Sequence, residues 1–191
     1  MALAFGLALA SLLPLKGRRL RTLRLPLIGM VLAHFGVAVA LFGMAADAAF
    51  TTERLVAANP GDTVEVGPWQ VKLEQVVPVA GPNWTALEAT VQARYQGGKQ
   101  IELHPQARSF WSPPQGTSES ALSTRWNGQL YVVLGEVAED GRWQLRLWWK
   151  PFVTLIWYGG LLIALGGLLA IGLAWSLLQI AQPIKSATHR E

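Results

Sequence analysis

The sequence contains no cysteine among its 191 residues. That excludes a disulfide framework, a Cys-ligated zinc, an iron–sulfur cluster and a thiol nucleophile within this chain. Histidine is scarce: His34, His104 and His189 stand far apart and do not form a zinc motif. There is no GxSxG elbow, no P-loop and no HExxH helix. The carboxylates show no close pair in surroundings that would separate their acidities. Internal repeats and low-complexity segments are also missing. Most telling are two long stretches without any charge, Leu25–Ala46 and Phe152–Ile180.

The charge that is present is segregated. Residues 14–25 carry Lys16, Arg18, Arg19, Arg21 and Arg24 and no acid. Residues 47–150 carry nine bases against eleven acids, and the end of the chain carries Lys185, Arg190 and Glu191. The net charge of +4 therefore belongs to short segments beside apolar runs. This is the pattern of membrane topology and argues against a nucleic-acid face.

The 22 residues of Leu25–Ala46, with Pro26 at the helix start, span a hydrocarbon core of ~30 Å at ~1.5 Å per residue. The later run is entered through WWKPF, in which Trp148 and Trp149 suit an aromatic belt, Lys150 a snorkelling anchor and Pro151 a first helical position. Residues 1–13 are apolar but short, about 20 Å as a helix, and lack the basic start of a signal peptide. They read as a partial or short membrane helix, the tail of a span whose beginning is missing. The positive-inside rule orients the rest. Residues 14–25 form a basic cytoplasmic loop, 26–46 a transmembrane helix, 47–150 a periplasmic β domain, 151–180 a transmembrane helix and 181–191 a cytoplasmic tail. The expected fold class is a membrane protein with transmembrane α-helices and one extracytoplasmic antiparallel β sandwich or barrel.

The β reading rests on period-2 patterning. TVEV (63–66) and WQVKLEQVVPV (69–79) alternate. In 84–95, Leu87, Ala89, Val91, Ala93 and Tyr95 share one face and Glu88, Thr90, Gln92 and Arg94 the other. QIELH (100–104), LYVVLGE (130–136) and WQLRLWW (143–149) continue the series, with turn signals at 59–62, 81–83, 96–99 and 139–142. SPPQGTSES (112–120) reads as a loop and SALSTRW (120–126) as one short helix.

His34 is the leading candidate site, since an ionisable group in mid-membrane is costly unless it is paired or ligated. On a helical wheel Gly29, Ala33, Gly36, Ala40 and Gly43 form a narrow stripe suited to close helix packing. His34 lies roughly 140° from that stripe, beside Leu27, Met30, Ala38 and Leu41. Such a face suits an axial ligand of a haem; the alternatives are a proton relay and a histidine that merely hydrogen-bonds a neighbouring helix. A relay is disfavoured because no second ionisable residue lies within the membrane runs. A second small-residue stripe, Gly159, Gly160, Ala164, Gly166, Gly167 and Ala170, reads as architecture. His104 and His189 read as surface residues. Asn83-Trp84-Thr85 matches a glycosylation sequon, a motif short enough to arise by chance. Trp111 and Trp126 flank the Pro/Gly/Ser loop and are the tryptophans best placed for a contact surface.

Several stretches resemble the C-terminal part of the CcmF family, the membrane core of a bacterial haem lyase. They are GMVLAHFGVAV (29–39), GPNWTALEATVQ (81–92), LHPQARSFW (103–111), SESALST (118–124), LYVVLGE (130–136) and DGRWQLRLWWKPFVTLIWYGGLLIALGGLLA (140–170), in family order over about 26–170. The resemblance implies cytochrome c-type biogenesis in the bacterial inner membrane. Haem would come from the chaperone CcmE and, with CcmH and CcmI, be joined by thioether bonds to the CxxCH cysteines of an apocytochrome c. It also implies a resident haem b, with His34, in the family's LAH-G motif, as one axial ligand to the iron.

The family's tryptophan-rich haem-handling segment and its other ligand histidines have no counterpart here, and His104 matches no ligand position. Where the family carries a charge before LYVVLGE, this chain has Asn127, Gly128 and Gln129. The expectation is therefore a C-terminal portion or split subunit, which shares the haem with an N-terminal CcmF portion and does not catalyse ligation alone. The alternative is a non-catalytic, membrane-anchored β-domain docking module, with His34 a packing residue.

Overall fold

An apolar run without charges satisfies its backbone by closing into helix, and both long runs do so in the computed structural model. It describes residues 1–19 and 23–180, with only the backbone described over 172–180. Leu20, Arg21 and Thr22 of the basic loop, and residues 181–191 with His189, lie outside the described residues. Helix α1 (Ala2–Leu12) is followed by a single 3₁₀ turn, Leu13–Leu15, carrying Pro14. Helices α2 (Leu25–Phe50, 26 residues) and α3 (Thr154–Ile180, 27 residues) each reach about 40 Å, at ~1.5 Å per residue. By length and composition, Leu25–Phe50 and Thr154–Ile171 are long and apolar enough to cross a membrane. The chain divides into two units, one built from the helices up to Met44 and from Leu155 on, the other from Ala45–Thr154.

Within the helical unit, α2 and α3 run antiparallel and meet backbone to backbone. A Cβ added at Gly29 would lie 2.6 Å from the Gly166 carbonyl, one at Gly36 2.7 Å from the Gly159 carbonyl, and one at Gly43 2.9 Å from the Ile156 amide. Glycines spaced by seven on both helices therefore form the seam. Gly160 and Gly167 have nothing near their missing Cβ atoms and face away from it. Only half of the glycines in the α3 stripe serve the packing expected of all of them.

The second unit is an antiparallel β sandwich. Its strands are β1 (Thr52–Ala58), β2 (Thr63–Val66), β3 (Trp69–Ala80), β4 (Trp84–Tyr95), β5 (Gln100–Leu103), β6 (Gln106–Trp111), β7 (Pro114–Glu119), β8 (Ala121–Arg125), β9 (Gly128–Val137) and β10 (Trp143–Pro151). One sheet has the order β1-β10-β9-β8, the other β2-β3-β4-β6-β7, and β5 pairs with the second half of β4. Alternate residues from both sheets close the core: Trp69, Val71 and Leu73 from β3, Ala89, Val91 and Ala93 from β4, Leu130, Val132 and Leu134 from β9, and Leu145, Leu147 and Trp149 from β10. One inner face per sheet is the reason the strands alternate in sequence.

The structure departs from the pattern reading first at the entry to α3: Pro151, expected as a first helical residue, ends β10, α3 starts only at Thr154, and Trp149, expected in an aromatic belt, is buried in the sandwich core because β10 carries its alternation through to that residue. Three further differences lie within the sandwich. Leu87 is expected on the core face, but it is exposed and its neighbour Ala86 is the buried residue. The register shifts between Leu73 and Gln75 of β3, and β4 changes partner from β5 to β6, so the alternation changes phase along the strand. Residues 114–119, expected as loop, form strand β7. Both its faces are polar and mostly exposed, and it is held by main-chain pairing with β6, so no apolar period marks it. Residues 121–125, expected as helix, form strand β8 along β9.

The topology fixes what lies at each end of the sandwich. Thr52, the first residue of β1, pairs with Trp149, and β10 finishes two residues later at Pro151. The chain thus enters and leaves the sandwich at one end. Trp69, Tyr95 and Trp149 cluster there, with ring centroids 5.2–6.3 Å apart. The Arg125 guanidinium lies 4.3 Å from the Tyr95 ring centroid, and Asn127 Nδ2 donates to the Tyr95 hydroxyl at 2.9 Å. The other end holds the β3–β4 turn, where Gly81 packs on the Trp84 indole, and Phe110, which pairs with Trp84.

Candidate functional site

His34 is the tenth of the 26 residues of α2, on an exposed face away from the glycine seam. Its Nδ1 lies 2.8 Å from the Met30 carbonyl oxygen, one turn earlier. A carbonyl only accepts, so Nδ1 carries the proton and donates. In the neutral ring Nε2 then holds its lone pair. Donation from one ring nitrogen to a main-chain carbonyl is the usual device that orients a metal-bound histidine and raises its basicity.

Around the imidazole, Leu7, Ala10, Ser11 and Pro14 from α1 and its following turn join Met30 and Val31 in lining a cleft of about 150 Å³. Ser11 is buried, and its one hydroxyl hydrogen is committed to the Ala8 carbonyl at 2.7 Å, so it offers the cleft no donor. The surroundings are thus largely apolar, with the imidazole Nε2 left with its lone pair. These features fit an axial ligand and part of one apolar wall of a haem site. The cleft is smaller than the ~300–1,000 Å³ of complete ligand pockets, so the residues here make a partial site. No group of three or more His, Asp or Glu able to hold a metal ion occurs among the described residues.

The other candidates separate. His104 Nε2 lies 3.0 Å from a Glu102 carboxylate oxygen, and Nδ1 lies 3.6 Å from Glu88. Gln106 donates to Glu88 as well. This is an exposed polar network on the sheet surface, and it engages both ring nitrogens. Trp111 and Trp126, adjacent to the same loop in sequence, are both exposed, at 53% and 72%. They lie at opposite ends of the sandwich. The Trp111 amide donates to Asn83 at the β3–β4 turn (3.3 Å), whereas Trp126 stands in the β8–β9 turn beside the Tyr95 cluster. The contribution of α1 to the surroundings of His34 had no sequence signal, because nothing in a 13-residue apolar stretch says which helix it packs against.

Together these features define a class: an antiparallel β sandwich inserted between two long apolar helices, one of which presents a histidine to apolar surroundings. The CcmF C-terminal beta-sandwich family matches residues 49–151, more than half of the chain, and the chain belongs to that family. Among curated relatives, it is 38% identical over 143 residues to the cytochrome c-type biogenesis protein CcmF of Escherichia coli (strain K12), covering 75% of this chain and 22% of that protein. It is 37% identical over 142 residues to CcmF of Pseudomonas aeruginosa, covering 74% and 22%. It is also 37% identical over 154 residues to the cytochrome c-type biogenesis protein ccl1 of Rhodobacter capsulatus, covering 79% and 23%. The chain thus spans less than a quarter of the length of these relatives. Among solved structures, the cytochrome c heme lyase CcmF shares the fold, with a TM-score of 0.65 at 22% identity over 89% of this chain and 28% of that one.

Proposed function

We propose that this chain is the C-terminal portion, or a split subunit, of a haem lyase of cytochrome c biogenesis, with His34 an axial ligand of a haem b held in the membrane. The observation that carries the reading is the His34 ring: well inside an apolar helix, exposed on its face, with Nδ1 tied to the Met30 carbonyl and Nε2 left with its lone pair. The cytochrome c-type biogenesis proteins to which the chain is similar support the pathway.

In this reading α2 and α3 cross the bacterial inner membrane. The basic loop 14–25 lies in the cytoplasm and the sandwich in the periplasm, where it faces the haem chaperone CcmE, CcmH/CcmI and apocytochrome c. A haem bound at His34 would supply one-electron chemistry. The chain's own residues do the holding. Met30 fixes the ring and its tautomer, and the apolar side chains of α1 and α2 exclude water beside it. The second ligand and the remaining walls come from the N-terminal CcmF portion, so this chain does not attach haem to CxxCH cysteines by itself.

The test is a reduced-minus-oxidised and pyridine haemochrome spectrum of the chain purified with that N-terminal portion, wild type beside His34→Ala. A b-type spectrum that is lost or altered in the variant supports the reading. An identical spectrum in both, or no haem in either, leaves a membrane-anchored docking module.

A further inference from the structure

The geometry points to Trp126 as an anchor of the sandwich in the headgroup layer of the bilayer. This inference rests on the reading of α2 and α3 as membrane spans. Trp126 heads the β8–β9 turn, and its indole is 72% exposed, a large apolar surface with one N–H. Its main chain is tied to the start of α3. The Thr154 hydroxyl donates to the Trp126 carbonyl at 2.7 Å, and the Phe152 amide donates to the Asn127 carbonyl at 2.7 Å. Thr154 is the first residue of α3 and is itself buried. The turn is thereby fixed where the apolar run begins.

Basic and aromatic side chains meet at this end, as Arg108 and Trp84 do at the other (4.5 Å), so the tie to the start of α3 is what distinguishes Trp126. Arg125 stacks on Tyr95, and Lys150, ion-paired with Asp47 at 3.4 Å, lies 5.6 Å from the Tyr131 ring centroid. Aromatic bodies with polar tips beside basic groups are what headgroup carbonyls and phosphates favour. Trp111 supplies the contrast. Its neighbour Phe110 pairs with Trp84, which is eleven residues from Tyr95 along β4, roughly 36 Å at ~3.3 Å per residue. An exposed tryptophan at that far end stands in water.

With no native cysteine in the chain, the test is site-directed spin labelling of the full chain in lipid nanodiscs. Labels go at Trp126→Cys, Trp111→Cys and, as a reference in α3, Leu165→Cys. Collision with oxygen, which partitions into lipid, is compared with collision with a water-soluble nickel chelate. The expected oxygen-to-nickel ratio at 126 is several-fold above that at 111 and below that at 165. A ratio at 126 equal to that at 111, with 165 still lipid-exposed, overturns the anchor alone. A ratio at 165 equal to that at 111 overturns the membrane reading, and the anchor with it. Quenching of intrinsic fluorescence by brominated lipid gives a second readout. It should fall in Trp126→Phe relative to wild type, and unchanged quenching counts against the anchor.

Discussion

The sandwich and the helical unit are held together by different physics. The sandwich buries fifteen clustered side chains, among them Leu73, Leu134 and Leu147, between two sheets. Its stability comes from the removal of this apolar area from water. The helical unit leaves most of its large side chains exposed, including Leu161, Leu168 and Ile171. What it buries is backbone, because the Gly29/Gly36/Gly43 line meets Gly159 and Gly166. In the membrane reading proposed above, the surroundings are as apolar as leucine and there is no gain in hiding leucine. Helices then associate through close approach and dispersion, which small residues permit. The lesson is that the same apolar composition marks a core in one region and an outer surface in the other.

The largest way to break this contrast is Gly159→Leu. A Cβ at 159 would lie 2.5 Å from the Gly36 carbonyl and the Ala40 amide, both backbone atoms that cannot swing aside. Loss of the α2–α3 pairing is expected, seen as a broadened distance distribution between spin labels at Val37→Cys and Leu161→Cys. Unfolding of the sandwich should be unchanged. The converse is Leu147→Ala, at a fully buried position, expected to cost the sandwich about 2–5 kcal/mol. Denaturant titration checks this, and the helix-pair distances should not move. Smaller is Gly67→Ala. Gly67 has φ +54°, and a Cβ there meets the Trp149 ring at 2.5 Å. A cost of roughly 1–3 kcal/mol follows from the strained backbone, measured by the same titration.

The smallest effect is at the β9–β10 turn. The Arg142 side chain, with help from its main-chain N–H, holds the Asp140 carboxyl below the usual carboxylate range. A carboxyl depressed in the folded state contributes stability above its unfolded value, and that contribution is lost as pH falls through the folded value. Asp140→Asn should therefore lower the melting temperature slightly at neutral pH. The difference from wild type should vanish in acid. A difference that persists or grows in acid would assign the effect to something other than the ion pair.

The sequence exposed most of this division, for identifiable reasons. The helices were legible because charge-free runs of this length have few other uses. Strands β2, β3, β4, β5, β9 and β10 were legible because one face of each is wet. Strand β7, PQGTSE, was not, since it places neither face in the core and is held by main-chain pairing with β6 and one ion pair, Glu119 with Arg108 at 3.5 Å. Strand β8 misled through a short Ser/Thr-rich run with no strong alternation. At the candidate site, His34 and the opposing glycine stripe could be read from a wheel. The hydrogen bond to Met30 and the flank supplied by α1 could not, because both depend on rotamer and tertiary packing. Trp111 and Trp126 looked equivalent from the loop between them, and only the register of β4, β6, β8 and β9 placed them at opposite ends.

The measurement that bears most directly on the central claim is ligand rescue at His34. The chain, purified with the N-terminal CcmF portion, is compared as wild type, as His34→Gly and as His34→Gly supplied with free imidazole. The account predicts a b-type haem spectrum in wild type, its loss or marked alteration in the glycine variant, and its return with imidazole, which can occupy the vacated position and offer the same nitrogen. A glycine variant that keeps the wild-type spectrum without imidazole would contradict the assignment of His34 as an iron ligand.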